Sequence, residues 1–352
     1  MGKAGTKPTR SQPYRIDVHH HILPPEYVST LKGIGITGTI GVQFPEWTPK
    51  KSLNFMDKNG IATAITSVST PGVNLKDGSF SHDLARLCNE HSAQLISDYP
   101  DRFGAFAVLP LFDMMDALRE LEYAIDKLNL DGVALLTHVQ GTYLGDPKYD
   151  ELFAELNRRQ MVVHLHPTDP PFGNIPNLKF PNALIEAPFD TTRAVTNMIH
   201  NGIMDRCPNI RFILSHGGGA TPFLAWKIAL LEYKQTHKSL RVKAAYDFLL
   251  SKRGPFAGIN ILNRLYYDTA LAANPYVLRS LQEVVDSSHI LFGTDYVWAQ
   301  SWMTPLFVKA LREYDGFDEQ ALALVERESA LELFPRFRGG DEHYHLRCKF
   351  KS

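Results

Sequence analysis

Cysteine is scarce and scattered: three residues in 352, Cys88, Cys207 and Cys348, an odd number at wide separations. Such a set builds no disulfide framework and points to a reducing compartment, so a cytoplasmic protein is expected. An excess of one charge is missing as well. With 37 basic and 38 acidic residues the formal net charge is −1, which gives no long-range field to recruit nucleic acid or an anionic membrane. No apolar run reaches the roughly 20 residues of a membrane-spanning helix, and no stretch reads as a signal peptide. What the chain does have is 44% hydrophobic content, spread evenly enough to bury one large core.

Residues 1–13 are rich in Lys, Thr, Gly and Pro without periodicity and read as a flexible arm. After them, eight short apolar or β-branched runs recur, at 15–21, 63–69, 103–110, 132–138, 161–167, 210–216, 264–270 and 290–296. Amphipathic helical patterns lie between most of them, at 81–99 (Leu84, Leu87, Cys88, His91 and Leu95 on one stripe), 114–128 and 149–159. Strand and helix alternating eight times predict an α/β fold, a parallel (β/α)8 TIM barrel over 14–335 with a tail over 336–352. The tail could dock on the barrel or a second subunit, and a homodimer or higher homo-oligomer is expected. Two long excursions, 23–59 and 169–188, are expected to fold over the barrel mouth as lids or binding loops.

A barrel of this kind carries its active site at the C-terminal strand ends. The first run ends in His19-His20-His21, the fifth in His164-Leu165-His166, the sixth in Ser215-His216 before three glycines, and the eighth in Gly293-Thr294-Asp295. Strand alternation puts His19 and His21 on one face and His20 on the other, with Asp17 on the His19 face, where it could fix an imidazole tautomer. His166 lies nearer the rim than His164, which is expected to be structural. Asp295 would complete a His3Asp set with His19, His21 and His166 around a borderline metal, Zn²⁺ first and Mn²⁺ second. The fourth run has no lysine to bridge two ions, so one divalent ion per chain is expected.

His216 fits a general acid/base or substrate contact better than packing. The glycines after it either turn N–H groups toward an anion or make a tight turn, and Thr221 with Pro222 reads as a helix start. Asp268 is expected to hydrogen-bond His216 or a strand neighbour. No strand ends in Arg or Lys, so a monoacid fits better than a diacid, although a loop arginine such as Arg193 could supply a cation. Trp47, Phe172, Phe189, Phe292 and Trp298 could enclose a ring.

Taken together, Asp17-Val18-His19-His20-His21, His166-Pro167-Thr168, Ser215-His216-Gly217-Gly218, Tyr267-Asp268-Thr269-Ala270 and Leu291-Phe292-Gly293-Thr294-Asp295 resemble the amidohydrolase-related superfamily. Within it the similarity is to the metal-dependent non-oxidative decarboxylases, nearest the 6-methylsalicylate type. The resemblance implies a (β/α)8 barrel with His19, His21, His166 and Asp295 as metal ligands and His216 beside the substrate. It further implies a carboxy-lyase acting on a small aromatic carboxylic acid with an ortho hydroxyl, protonated by Asp295 or by a metal-bound water that His216 assists. His138 stands where relatives carry an arginine, which bears on substrate identity. The alternatives are a hydrolase of the same fold acting on a lactone or amide, and a barrel that binds a small acid without catalysis.

Overall fold

The computed structural model describes residues 14–171, 179–236 and 257–339. The N-terminal arm, Phe172, Cys348 and the rest of the tail beyond residue 339 lie outside them. Eight strands form one sheet in chain order: β1 (Arg15–His21), β2 (Ile61–Ser67), β3 (Phe103–Ala107), β4 (Gly132–Leu136), β5 (Val162–His166), β6 (Arg211–Leu214), β7 (Tyr266–Asp268) and β8 (Ile290–Leu291). Every neighbouring pair is parallel. β8 returns to β1 through Val18 N–H donating to Phe292 O (3.0 Å) and Asp295 N–H donating to His19 O (2.9 Å). The sheet therefore closes as the barrel that the eightfold alternation predicts.

The strands are apolar on both faces because both are covered. Ile16, Val18, Ile65, Phe106, Val162, Ile213 and Leu291 fill the interior, and Ala330, Leu331, Leu333, Phe334 and Phe337 close it from below. The packed domain thus continues past Pro335, with Arg336 holding Asp131 at the foot of β4. Helices cover the outside. The helix Gly78–Asp98 is capped by Asp77, whose carboxylate accepts the Phe80 N–H, and it buries Leu84, Ala85, Cys88 and Leu95. Leu87 and His91, expected on that stripe, are only half-buried. Cys88 and Cys207 are buried and free, and among the described residues no helix is long and apolar enough to cross a membrane.

Three expectations about the strand ends change. β4 stops at Leu136, and His138–Val139 turns back against Thr142–Tyr143 through Gln140 and Gly141, both at positive φ. β6 and β8 likewise stop short, so His216 and Asp295 sit on the turns beyond them, at φ 56° and 60°. The first excursion is not a loop: it folds as the helix Pro25–Gly33, a hairpin and the helix Pro49–Lys58. Its hairpin does reach over the mouth, where the Thr39 hydroxyl and Ile40 N–H donate to Asp169 Oδ2 (3.1 and 2.9 Å).

Candidate metal centre and active site

The site begins with an irregularity in β1. Asp17 pairs with Ala64 and His20 with Thr66, so Val18 and His19 together oppose Ile65. That extra residue is a bulge, and it resets the alternation. Below it Ile16 and Val18 face the interior; above it His19 and His21 do. The two histidines share a face as expected. Asp17 does not share it: the bulge leaves Asp17 on the side of His20, whose Nδ1 lies 3.1 Å from its Oδ2.

Around His19 the expected residues converge. His19 Nε2 lies 2.9 Å from His21 Nε2 and 3.3 Å from Asp295 Oδ1, which is 3.1 Å from His21 Nε2. The His166 ring centroid is 5.1 Å from that of His19 and 4.8 Å from that of His21, and the His216 centroid is 4.9 Å from that of His19. One ligand atom each from His19, His166, His216 and Asp295 falls within 4.8 Å of all the others. His216, expected beside the substrate, is thus as near the centre as the expected ligands.

The far nitrogens say which lone pairs face inward. His19 Nδ1–H donates to Asp268 Oδ2 (2.8 Å), His166 Nδ1–H to Pro167 O (2.7 Å) and His216 Nδ1–H to Ala270 O (3.1 Å), while His21 Nδ1 meets the Ser67 hydroxyl (2.9 Å). His166 Nε2 and Asp295 Oδ1 are buried with no hydrogen-bond partner, although Asp295 Oδ1 is close to both histidines. Buried polar atoms are rarely left so. Imidazole lone pairs and a carboxylate oxygen aimed at one point are what a divalent ion of Zn²⁺ or Mn²⁺ character requires, so the residues fit such an ion.

The protonation states agree. Burial lowers His21 to about 4 in spite of Asp295, and burial with the neighbouring imidazoles puts His166 well below the ordinary histidine value. Burial works against charge on His19 too, but Asp268 and Asp295 outweigh it and raise His19 to about 10. Burial would raise Asp295 and Asp268; the adjacent histidines hold both well below the carboxylate range. Two ionised carboxylates beside one protonated histidine leave a net negative charge, which a divalent ion would neutralise in place of the His19 proton.

Asp268 is more central than the sequence suggested. Its Oδ1 accepts the N–H groups of His216 (2.9 Å) and Ala270 (3.0 Å), and its Oδ2 accepts from His164 Nε2 (3.3 Å) as well as His19. Both expected contacts are present; the one to His19 was missed, though a carboxylate at a strand end facing histidine-bearing strands was its signal. His164 stacks on Phe106 and, with His19 and Asp268, forms a second cluster of potential ligand atoms within 4.8 Å of one another. The glycine run is a tight turn: Gly218 N–H donates to Ser215 O and Gly219 N–H to His216 O, so these groups do not face an anion. A Cβ at Gly219 would stand 2.1 Å from Pro188 O. The Thr221 hydroxyl makes no cap and has no partner, whereas the Ala220 N–H is taken by Thr192 Oγ1 (2.9 Å).

A cavity of about 190 Å³ opens beside His166, walled by Val68, Val73, Leu109, Leu111, Leu136 and Val139 among others. Its polar groups are largely engaged: Asn74 holds the backbone at Leu109 and Leu111, and Ser69 accepts the Trp298 N–H. His138 Nδ1 accepts the Gly141 N–H and its Nε2–H donates to Asp169 O, so both ring nitrogens are engaged in the wall. Among the described residues no arginine or lysine lines the cavity. Arg193 lies on the helix Glu186–His200 rather than a loop. Among the described residues the expected aromatics do not line the cavity: Trp47 and Phe292 are buried in outer packing, Phe189 faces solvent, Trp298 reaches it through Ser69, and the wall there is aliphatic.

The family model described as amidohydrolase matches residues 16–336. The chain belongs to that family. Among its relatives, the decarboxylase yanB of Aspergillus niger is 35% identical over 338 residues, covering 92% of this chain and 88% of that protein. The 6-methylsalicylic acid decarboxylase of Penicillium expansum is 33% identical over 330 residues, covering 92% and 97%. A crystal structure named amidohydrolase II superposes with a TM-score of 0.81 at 29% identity, covering 91% of this chain and 99% of that one.

Proposed function

We propose that this chain is a metal-dependent, non-oxidative decarboxylase of a small aromatic acid with a hydroxyl ortho to its carboxylate, of the 6-methylsalicylate type. The observation that carries the reading is the meeting of a cation-demanding His/Asp cluster with an aliphatic cavity free of arginine and lysine. A cavity of ~150 Å³ already holds benzene, so about 190 Å³ takes one ring with a small apolar substituent. A second carboxylate would be buried there without a counter-ion, at a cost of several kcal/mol.

His19, His21, His166 and Asp295 would hold one divalent ion, Zn²⁺ in our reading. Such an ion would supply Lewis acidity, neutralising the negative charge of the carboxylate and ortho oxygen. The cavity wall holds the ring and excludes water. A proton then adds to the ring carbon bearing the carboxylate, which becomes tetrahedral; the bond to the carboxylate breaks, its electron pair returns to the ring, and CO₂ leaves. Asp295 and His216 border the point where that proton arrives, His216 through Nε2, since its Nδ1–H is committed to Ala270 O. The same donor set could hydrolyse a lactone or amide, but the aliphatic cavity and the decarboxylase relatives at 33–36% identity favour loss of CO₂.

The test is kcat/KM of the ion-loaded protein for 6-methylsalicylate, its analogue lacking the hydroxyl and a muconate-type diacid, read as CO₂ release. Turnover of the first alone is expected. Preference for the diacid, or equal turnover without the hydroxyl, would refute the reading.

A further inference from the structure

The seam where the barrel closes is thin in backbone bonds. β1 and β2 share a ladder of five residue pairs, whereas β1 meets β8 and the turn after it through Val18 to Phe292, His21 to Tyr296 and Asp295 to His19. The wholly buried carboxylate of Asp17 spans this seam. Its Oδ1 accepts the N–H groups of His19 and Thr294, both at 3.1 Å. Its Oδ2 accepts the Thr294 hydroxyl (2.6 Å) and the His20 Nδ1–H (3.1 Å). One side chain therefore fixes the backbone of His19 on one side and of the residue before Asp295 on the other.

Asp17 is itself held. His20 Nε2 lies 3.0 Å from Ser52 Oγ, which receives the Trp47 Nε1–H at 2.9 Å. Indole nitrogen only donates, so the Ser52 hydroxyl is free to donate to His20 Nε2, and the His20 proton sits on Nδ1 facing Asp17. The order Ser52, His20, Asp17 is that of a hydrolytic triad, yet Ser52 is fully buried and its oxygen is already engaged. Every polar group in the chain is satisfied, which is the condition under which a buried network rigidifies its surroundings.

We propose that Asp17 is a positioning residue: it sets His19 against Asp295 across the closing seam, and Trp47, Ser52 and His20 hold it in the one orientation that does so. The proposal rests on His19 and Asp295 being ligands of the ion. Outer groups that orient ligands typically change metal affinity 10–100-fold.

The test measures Zn²⁺ affinity by chelator competition, together with the melting temperature of the ion-free protein, for Asp17→Asn, Thr294→Val, Thr294→Ser and His19→Ala. Asp17→Asn is expected to weaken Zn²⁺ by about 10–100-fold. Thr294→Val, which removes one hydroxyl, should weaken it less, and Thr294→Ser, which restores that hydroxyl, should regain the original affinity. Zn²⁺ then raises the melting temperature of Asp17→Asn less than that of the parent. A merely structural role would lower the melting temperature with and without Zn²⁺ alike and leave the affinity unchanged; that result overturns the proposal. Should Asp17→Asn fail to fold, unchanged affinity in folded Thr294→Val overturns it instead. Undiminished affinity in His19→Ala refutes the ligand assignment, and the proposal with it.

Discussion

The two ends of the barrel are built from the same strands and obey opposite rules. At the floor, Ile16 and Val18 meet Leu331, Phe334 and Phe337, and the buried Arg15 finds Glu326, with Nε 2.8 Å from Oε1. At the mouth, one residue further along β1, His19 and His21 face His166 and Asp295, and two buried polar atoms have no partner in the chain. Non-glycine residues at positive φ stand at both ends, Asn129 and Gln160 on the turns before β4 and β5 and His216 and Asp295 at the mouth, and each costs roughly 1–3 kcal/mol. The floor is an apolar plug supplied wholly by the chain's own side chains. The mouth is complete only with a cation, so folding energy from the floor is what keeps the mouth assembled.

The sharpest way to break this contrast is to remove a ligand. His166→Ala should abolish ion binding and lower kcat/KM by about 10⁴-fold or more, the scale seen when one member of a catalytic unit is lost. The ion-free protein should lose only about 1 kcal/mol, since the lost Nε2 has no partner to leave behind and what goes is the Nδ1–H bond to Pro167 O. Metal content and chemical denaturation check the two halves. A large loss of ion-free stability would mean that the mouth is held together like the floor.

The reverse experiment truncates the floor. Phe334→Ala removes a ring that is 2% exposed and should cost about 3–5 kcal/mol, while the stoichiometry of one ion per chain is kept. Loss of the ion in a folded Phe334→Ala protein would show that the two ends are coupled more tightly than their contacts suggest.

How much of this was legible in the sequence follows the same division. Short continuous apolar or β-branched runs separated by helical patterns give the barrel, because burial on both faces of parallel strands leaves that imprint. The histidines and Asp295 could be gathered because barrel topology brings all C-terminal strand ends to one rim. What failed were inferences that needed exact backbone phase. Counting by twos from Asp17 to His19 crosses the bulge, so Asp17 was placed on the wrong side. His138 was assigned to a strand end when a left-handed turn carries it into a hairpin. The ring-binding wall escaped notice because its aliphatic residues come from segments around 68–75, 108–111 and 136–140, which no local pattern links, whereas the conspicuous aromatics are spent on packing. Trp47 went to Ser52 for a reason the sequence does hold, an indole N–H that needs an acceptor when buried, but the acceptor could not be chosen without the fold.

The smallest expected effect is in the pH dependence of the ion-free protein. His21 and His164 are lowered to about 4 by burial and burial with the neighbouring imidazoles holds His166 well below its ordinary value, whereas all three bind protons near 6.5 once unfolded. Between these limits the unfolded chain holds more protons, so stability is full above about pH 6.5 and is lost as pH falls toward 4. His19, raised to about 10, acts in the other direction: its contribution is full below about 6.5 and is lost as pH rises toward 10. Stability should therefore peak near neutrality and fall more steeply on the acid side, where three groups act against one. Each group contributes a slope of about 1.4 kcal/mol per pH unit, so His164→Gln should flatten the acid limb by about that amount. Denaturation midpoints at pH 7, 6 and 5 in the presence of a chelator measure it. An unchanged acid limb would mean that His164 is already protonated in the folded protein, and the mouth would then carry a second internal cation beside His19.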